Sequence, residues 1–170
     1  EDTLRLFFAL PCPHEQAAAI CSWRDRQALG GRPVALENLH LTLAFLGEVG
    51  TARVEELTAW LQGEAPQGGE WRLDRWGTFR RPGIVWVGGS TPDPALTVLQ
   101  ARLWDGLEAL GHGGRPTRFV PHITLLRRAR RRSIEALPPV DLTWRWRRLT
   151  LLRSFTLDDG PRYEVLARSA

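Results

Sequence analysis

The sequence predicts an α+β fold in which antiparallel sheets are flanked by helices. Strand-like segments follow one another as hairpins between helical segments, and this order favours antiparallel sheets over a doubly wound parallel sheet. The chain has 170 residues, which is the size of one domain. Because no linker or low-complexity stretch divides it, we expect a single domain over residues 1–170.

In the first part of the chain, apolar runs of strand length alternate with helical segments. The first run, LRLFFAL, is rich in aromatic residues and is stopped by prolines. Pro13 suits the first turn of the following helix, and Gly30 closes it. Thr51 is the expected N-cap of the next helix, in which Val54 and Leu57 recur at helical spacing. These features predict strands over 4–10, 34–36 and 39–46 and helices over 14–29 and 51–62.

The second part of the chain carries one more helical segment among several strand-like ones. An alternating pattern over 71–79 leads through the turn Arg81-Pro82-Gly83 into a short buried strand, which predicts a hairpin. Leucines from Leu96 to Leu110 recur on one face of the helix, and the turn at Asp159-Gly160 joins a closing antiparallel pair. These features predict a helix over 94–110 and strands over 71–79, 84–87, 120–126, 142–152 and 162–166.

The composition is that of a folded chain with a small net positive charge. Hydrophobic residues make up 43% of the chain and charged residues 25%, and no apolar run approaches the length of a membrane span. The formal net charge is +4, and all 23 basic residues are arginines. A coding bias explains this as well as selection does, but either way each cationic contact is a planar guanidinium suited to phosphate. The charge therefore favours a nucleic-acid partner without establishing one.

The two cysteines, Cys12 and Cys21, are too few for a disulfide framework, and a zinc site would need more ligands nearby. We expect two partly buried free thiols in a reducing compartment. The chain starts with the acidic residues Glu1 and Asp2, unlike the basic start of a signal peptide. These features predict a cytoplasmic protein.

The most informative feature is a short internal repeat. The sequence His-x-Thr-Leu occurs twice, beginning at His40 and at His122. Both copies lie in predicted strands, where residues i and i+2 project from the same face, so Thr42 accompanies His40 and Thr124 accompanies His122. Each copy therefore presents an imidazole beside a hydroxyl, with apolar residues behind them. A single histidine in such a strand is more often structural, whereas the repetition favours a functional pair.

Two imidazoles facing one cleft suit a reaction that removes one proton while delivering another. Because their reference pKa is about 6.5, one can act as a neutral base while the other is a charged acid. Hydrolysis of a phosphodiester is such a reaction, and Thr42 and Thr124 would bind the non-bridging phosphate oxygens. The motifs themselves leave open which histidine is the acid. Zinc would need further ligands, and neither copy has a Cys, Asp or His at ligand spacing, so we expect no metal.

The paired motifs resemble those of the 2H phosphoesterase superfamily, and more narrowly those of the RNA 2′,3′-cyclic phosphodiesterases, historically called 2′-5′ RNA ligases. The similarity covers RLFFAL from Arg5, NLHLTLAFLG from Asn38 and FVPHITLLR from Phe119, and it spans nearly the whole chain in order and spacing. It implies a bilobal fold whose two pseudo-symmetric lobes each contribute one motif to a central cleft. It also implies hydrolysis of an RNA 2′,3′-cyclic phosphate end to a 2′-phosphate, without a metal or other cofactor.

The resemblance also assigns roles to individual residues. His40 would donate a proton to the leaving 3′ oxygen, and His122 would accept a proton from water. Arg127 matches the arginine of the family's extended second motif and would bind phosphate or the RNA backbone. The structural alternative for Arg127 is a solvated residue at the end of a strand.

Further arginines flank the second motif. Arg118 shares the predicted strand parity of His122 and would line the same cleft, unless Pro121 breaks that register. Arg128 belongs to the run RRARRR over 127–132. This run would hold the RNA backbone through salt-sensitive contacts or would form a solvated loop, and the sequence does not choose between the two.

Three functions are compatible with these motifs. The leading hypothesis is a hydrolase acting on RNA cyclic ends; a reversible 2′-5′ RNA ligase would use the same site, and an RNA-binding module would share the fold without activity. The intact His and Thr of both motifs favour an enzyme. We expect a monomer with RNA as its partner, without a membrane or an obligate protein partner. We also expect Trp144 and Trp146 to pack in the core and not to stack on bases.

Overall fold

The computed structural model describes residues 2–79, 83–129 and 137–170, and within these ranges it confirms the α+β prediction. Its helices are α1 (His14–Asp25), α2 (Val54–Gln62) and α3 (Pro94–Ala109). Its strands are β1 (Thr3–Pro11), β2 (Arg32–Pro33), β3 (His40–Gly50), β4 (Gly69–Leu73), β5 (Arg75–Phe79), β6 (Ile84–Gly88), β7 (Ile123–Arg127), β8 (Leu142–Trp146), β9 (Thr150–Leu157) and β10 (Gly160–Arg168). Short 3₁₀ turns lie at Leu36–Asn38 and Thr51–Arg53.

One large sheet dominates the fold. Its strands run in the order β10-β9-β1-β3-β7-β6-β5, with β2 on the edge of β7, and every pairing is antiparallel. A separate two-stranded sheet joins β4 to β8. Strands β3 and β7 meet at a single residue pair, Leu41 with Ile123. The sheet is narrowest at this joint, and the two lobes of the proposed single domain over residues 1–170 would divide there.

The two faces of the large sheet differ in what they bury. Side chains alternate along each strand, so Leu6, Phe8 and Leu10 of β1 point to the helices and are fully buried there. Phe7 and Ala9 point to the opposite face, where they form a small separate cluster with Leu152 and Tyr163. The main core therefore lies under the helices and leaves the opposite face available for polar side chains.

Two predicted strands are each divided into two by the fold. The predicted strand over 71–79 is broken at Asp74 into β4 and β5, which belong to different sheets. The Asp74 carboxylate accepts hydrogen bonds from the Ser90 backbone N–H at 2.7 Å and its hydroxyl at 2.6 Å, and these bonds hold the break. The predicted hairpin is confirmed by the pairing of β5 with β6, and residues 81–82 of its turn lie outside the described residues.

The predicted strand over 142–152 is also two strands, β8 in the small sheet and β9 beside β1. The predicted closing hairpin is confirmed by the pairing of β9 with β10. Trp144 and Trp146 are 0% and 4% exposed, so core packing is confirmed and base stacking by these rings is excluded.

Several element boundaries were predicted wrongly. Helix α1 ends at Asp25, four residues early, and Ala28 just beyond it has a φ of 49°, which a right-handed helix cannot include. Residues 34–36 do not form a strand, since β2 ends at Pro33. Thr51 starts a 3₁₀ turn and is not a helix N-cap, because α2 begins only at Val54.

Candidate active site

His40 is the first residue of β3 and is fixed by two contacts. Its Nδ1 lies 2.6 Å from the Asn38 carbonyl oxygen, and its Nε2 lies 3.0 Å from the Thr42 hydroxyl. Because a carbonyl can only accept, Nδ1 carries the hydrogen in this bond. Nε2 is therefore the atom that gains or loses a proton.

His122 is held in the same way. Its Nδ1 lies 2.7 Å from the Val120 carbonyl oxygen, again two residues earlier in the chain, so Nδ1 donates and Nε2 is left for chemistry. The predicted strand over 120–126 begins only at Ile123, so His122 lies just before β7 and not within it. Pro121 has no N–H to offer a neighbouring strand, which accounts for the later start.

The joint between β3 and β7 brings the two motifs together. Antiparallel pairing of Leu41 with Ile123 places His40 level with Thr124 and Thr42 level with His122. Leu41 and Ile123 are both fully buried in the main core, so the four polar side chains share the opposite face. The predicted arrangement of an imidazole and a hydroxyl with apolar residues behind them is present in both copies.

Aromatic rings enclose each imidazole. The ring centroids of Phe7 and Tyr163 lie 5.2 and 5.3 Å from that of His40. On the other side, the Phe79 ring lies 5.1 Å from His122, nearly perpendicular to it, and the Trp86 ring lies 6.0 Å away. Sequence reasoning missed these four residues. The alternation of LRLFFAL could have indicated Phe7, because it separates Phe7 from the core-facing Leu6 and Phe8.

This environment shifts the ionisation of both histidines. The pKa of His40 is lowered to about 4, mainly by burial and to a smaller extent by the charges of Arg127 and His122, against the opposing effect of the Asn38 carbonyl. Burial also lowers the pKa of His122, against the effect of the Val120 carbonyl. Both imidazoles are therefore predominantly neutral near pH 7 while the site is empty.

Arg127 reaches the same face through a β-bulge. Val85 of β6 pairs with Leu126, whereas the next residue, Trp86, pairs with Thr124, so Leu125 is an extra residue in β7. Leu125 and Leu126 are both buried, and the bulge restores Arg127 to the side of Thr124. Its charge lowers the pKa of His40 and opposes the rise that burial causes in the pKa of Tyr163. The structure thus brings Arg127 close to the paired histidines.

The other predicted arginines are less closely tied to the histidines. Arg118 is exposed in an irregular segment before β7, so the argument from strand parity is wrong for it. Arg128 is exposed in a bend after β7, with a φ of 53°, and its carbonyl packs against Gly31, where an added Cβ would lie 2.6 Å from the oxygen. Residues 130–132 of the arginine run lie outside the described residues. Substrate binding by Arg118 and Arg128 stays a prediction.

Three further properties of the described ranges bear on the sequence predictions. Cys12 and Cys21 are both unpaired thiols, as predicted, with Cys21 buried. Within the described ranges, no group of three or more His, Cys, Asp and Glu side chains is placed to hold a metal ion. The helices described are all too short or too polar to cross a lipid bilayer.

Comparison with known proteins gave matches over nearly the full chain. The family model described as the 2′-5′ RNA ligase superfamily matches residues 11–156. An RNA 2′,3′-cyclic phosphodiesterase of Escherichia coli (strain K12) is 39% identical over 98% of this chain and 96% of its own. A protein of the same name from Thermus thermophilus is 34% identical over 97% of this chain and 89% of its own.

Solved structures agree with the sequence comparisons. The apo form of E. coli LigT superposes with a TM-score of 0.86 and 35% identity, covering 99% of this chain and 97% of that protein. E. coli LigT in complex with 3′-AMP superposes with a TM-score of 0.83 and 34% identity over the same shares of the two chains.

Proposed function

Because the chain belongs to the 2′-5′ RNA ligase superfamily, we propose that it is a hydrolase that opens the 2′,3′-cyclic phosphate ends of RNA to 2′-phosphates. The family match confirms the family predicted from the two motifs. Relatives named RNA 2′,3′-cyclic phosphodiesterases support the substrate. The observation that carries the proposal is the pair of imidazoles, each held through Nδ1 with Nε2 available, on one face of the sheet.

In the proposed reaction, His122 is the base and His40 is the acid. Nε2 of His122 takes a proton from water as the water oxygen attacks phosphorus. The bond from phosphorus to the 3′ oxygen breaks, and Nε2–H of His40 gives its proton to that oxygen. One water is consumed, and the product carries a 2′-phosphate and a 3′-hydroxyl. No metal ion takes part in this scheme.

His40 must be protonated for this step, although its pKa is about 4 in the empty site. A bound cyclic phosphate carries one negative charge, which favours the charged imidazole and offsets the positive charge of Arg127. Substrate binding would therefore raise the pKa of His40 and favour its charged form. Protonation of His40 is thus coupled to binding of the phosphate.

Thr42, Thr124 and Arg127 would bind the non-bridging phosphate oxygens. The hydroxyls share the face of the histidines, and the guanidinium offers two parallel donors to two oxygens. Charge on these oxygens redistributes in the transition state, where preorganised donors contribute most. Arg118, Arg128 and the remaining arginines of the run over 127–132 would contact the RNA chain outside the reacting group. We propose RNA as the partner of a cytoplasmic monomer, without a membrane or an obligate protein partner.

The two alternatives differ from hydrolysis in ways that an assay detects. A 2′-5′ RNA ligase would use an RNA hydroxyl in place of water at the same site. A binding module without activity would have no need for two histidines anchored through the same nitrogen. The matched anchoring therefore favours the enzyme over the binding module.

The test is incubation of a short RNA ending in a 2′,3′-cyclic phosphate with the protein in EDTA. We expect conversion to a 2′-phosphate, and a loss of roughly 10²–10⁴-fold in rate for His40→Ala and for His122→Ala, each with RNA binding retained. His14→Ala is the matched control, because His14 is exposed at the start of α1 and belongs to neither motif. Loss of activity to EDTA would favour a metal site, and retained RNA binding without turnover would favour the binding module.

A further inference from the structure

A groove of about 730 Å³ lies beside the His40 end of the site. Pro11, which lines it, pairs with His40 across β1 and β3. Thr150, also in its wall, pairs with Ala9, which belongs to the cluster on the histidine face of the sheet. Arg168 pairs with Thr150 from β10. The groove therefore starts on the face that carries the histidines and continues past the end of β1.

The buried Thr150 hydroxyl is a second feature that indicates a ligand in this groove. Thr150 is 1% exposed, and its Oγ1 has no hydrogen-bond partner in the part of the chain that the structure describes. Buried hydroxyls in folded proteins are nearly always hydrogen-bonded, so an unpartnered one in a cavity wall is unusual. A ligand atom in the groove would supply the missing partner.

The charges around the groove favour an anionic ligand. Glu70, the one carboxylate among its lining residues, forms an ion pair with Arg145, whose Nε lies 2.8 Å from Glu70 Oε1. Arg147, Arg148 and Arg168 are exposed at the groove and form no ion pair with any described residue. Three unpaired guanidiniums around one cavity suit several phosphates better than one.

The remaining wall is apolar and rigid. Trp146 is 4% exposed and is fixed by its Nε1–H, which donates to the Asp93 carboxylate at 3.2 Å, and Pro11 and Pro13 complete this wall. The Gln16 amide oxygen accepts from the Arg145 backbone N–H at 2.7 Å, which leaves its NH₂ group to donate. A groove with apolar, donor and cationic surfaces fits a chain of nucleotides, and its volume lies within the range of ligand pockets.

We propose that this groove binds the nucleotides of the RNA substrate on the 5′ side of the cyclic phosphate. The proposal rests on the proposed function, because it takes the cyclic end to lie at the histidines. The three arginines contact backbone phosphates, the Thr150 hydroxyl bonds to a sugar or phosphate oxygen, and the exposed Pro11 and Pro13 pack against the sugars. The substrate is accordingly an oligonucleotide, and chain length contributes to its affinity.

The test compares R147A/R148A/R168A with a charge-matched control, R26A/R72A/R102A, which removes three exposed arginines that do not line the groove. Binding is measured by fluorescence anisotropy with a six-nucleotide RNA ending in a 2′-phosphate, and with 2′-AMP as a competitor that reaches only the histidines. We expect the groove variant to lose at least roughly tenfold in RNA affinity, while 2′-AMP inhibition stays within about twofold of wild type. The slope of log affinity against log salt falls by about 2, which corresponds to three lost phosphate contacts.

A second variant tests the hydroxyl separately. Thr150→Val keeps the shape of the side chain but removes the hydroxyl. We expect it to weaken binding of the six-nucleotide RNA about fivefold without changing inhibition by 2′-AMP, and we expect Thr150→Ser to keep the wild-type affinity. Equal losses in the groove variant and its control, or a parallel loss for 2′-AMP, would overturn the proposal. Because these measurements use a product end and need no turnover, they stand even if hydrolysis of cyclic ends is not observed.

Discussion

The two halves of the candidate active site share a motif but differ in their surroundings. Both histidines donate through Nδ1 to a carbonyl two residues earlier. His40 lies within a strand and has the Thr42 hydroxyl 3.0 Å from its Nε2, whereas no such contact joins His122 to Thr124 among the described residues. Burial is the main cause of the lowered pKa of both histidines, and for His40 alone the charge of Arg127 adds to the effect of burial.

This difference offers a physical basis for the opposite roles that we propose for the two histidines. The motif fixes the tautomer and direction of each imidazole, because both depend on a carbonyl within the same few residues. The choice between acid and base depends on the groups that the fold brings to Nε2. Three predictions test this division between the halves, from the largest expected effect to the smallest.

The largest effect concerns the leaving group. A phosphodiester whose leaving group is p-nitrophenolate needs no proton donor, so His40→Asn should lose far less rate on it than the roughly 10²–10⁴-fold loss expected on RNA. His122→Asn should lose activity on both substrates, since both need water to be deprotonated. Steady-state kcat/KM on the two substrates measures this, and equal losses for both variants on both substrates would contradict the assignment of His40 as the acid.

A smaller effect concerns stability against pH. An unfolded histidine has a pKa of about 6.5, and the pKa of His40 is about 4 in the fold, so the unfolded state binds more protons between these values. The stability is intact above about pH 6.5 and falls as the pH is lowered toward 4. Because the ring is only half-buried, the loss should stay below roughly 3 kcal/mol.

Urea unfolding of wild type and His40→Asn between pH 4 and 7.5 measures this loss. The variant has no imidazole to protonate at this position, so its free energy of unfolding should fall less steeply with acid than that of the wild type. Identical slopes for the two proteins would show that His40 titrates normally in the fold.

The smallest effect distinguishes the two threonines. Thr42→Val removes the hydroxyl at Nε2 of His40 and should move the limb of the pH–rate profile that reports the ionisation of His40, with a loss of about 1 kcal/mol in transition-state stabilisation. Thr124→Val should lower kcat/KM by a similar amount and leave both limbs in place. If the two variants give the same pH profile, the Thr42 contact has no special role in tuning His40.

The chain itself determined much of the site. The two His-x-Thr-Leu copies identified His40, Thr42, His122 and Thr124, because strand alternation acts over two residues and needs no distant partner. Leu41 and Ile123 were placed in the core by the same local rule. The α+β class also followed from the order of local elements.

Tertiary structure alone decided how the motifs meet and what surrounds them. The sequence did not show that β4 and β8 leave the large sheet, because a continuing alternation looks the same whether a strand keeps or changes its partner. Strand alternation could not place Arg118, because β7 begins only at Ile123. The position of Arg127 depends on a bulge opposite β6. Tyr163 reaches His40 and Phe79 reaches His122 from distant strands, and burial at these positions lowers the pKa of both histidines. Local periodicity fixes which way a side chain points, and only long-range pairing fixes what it meets.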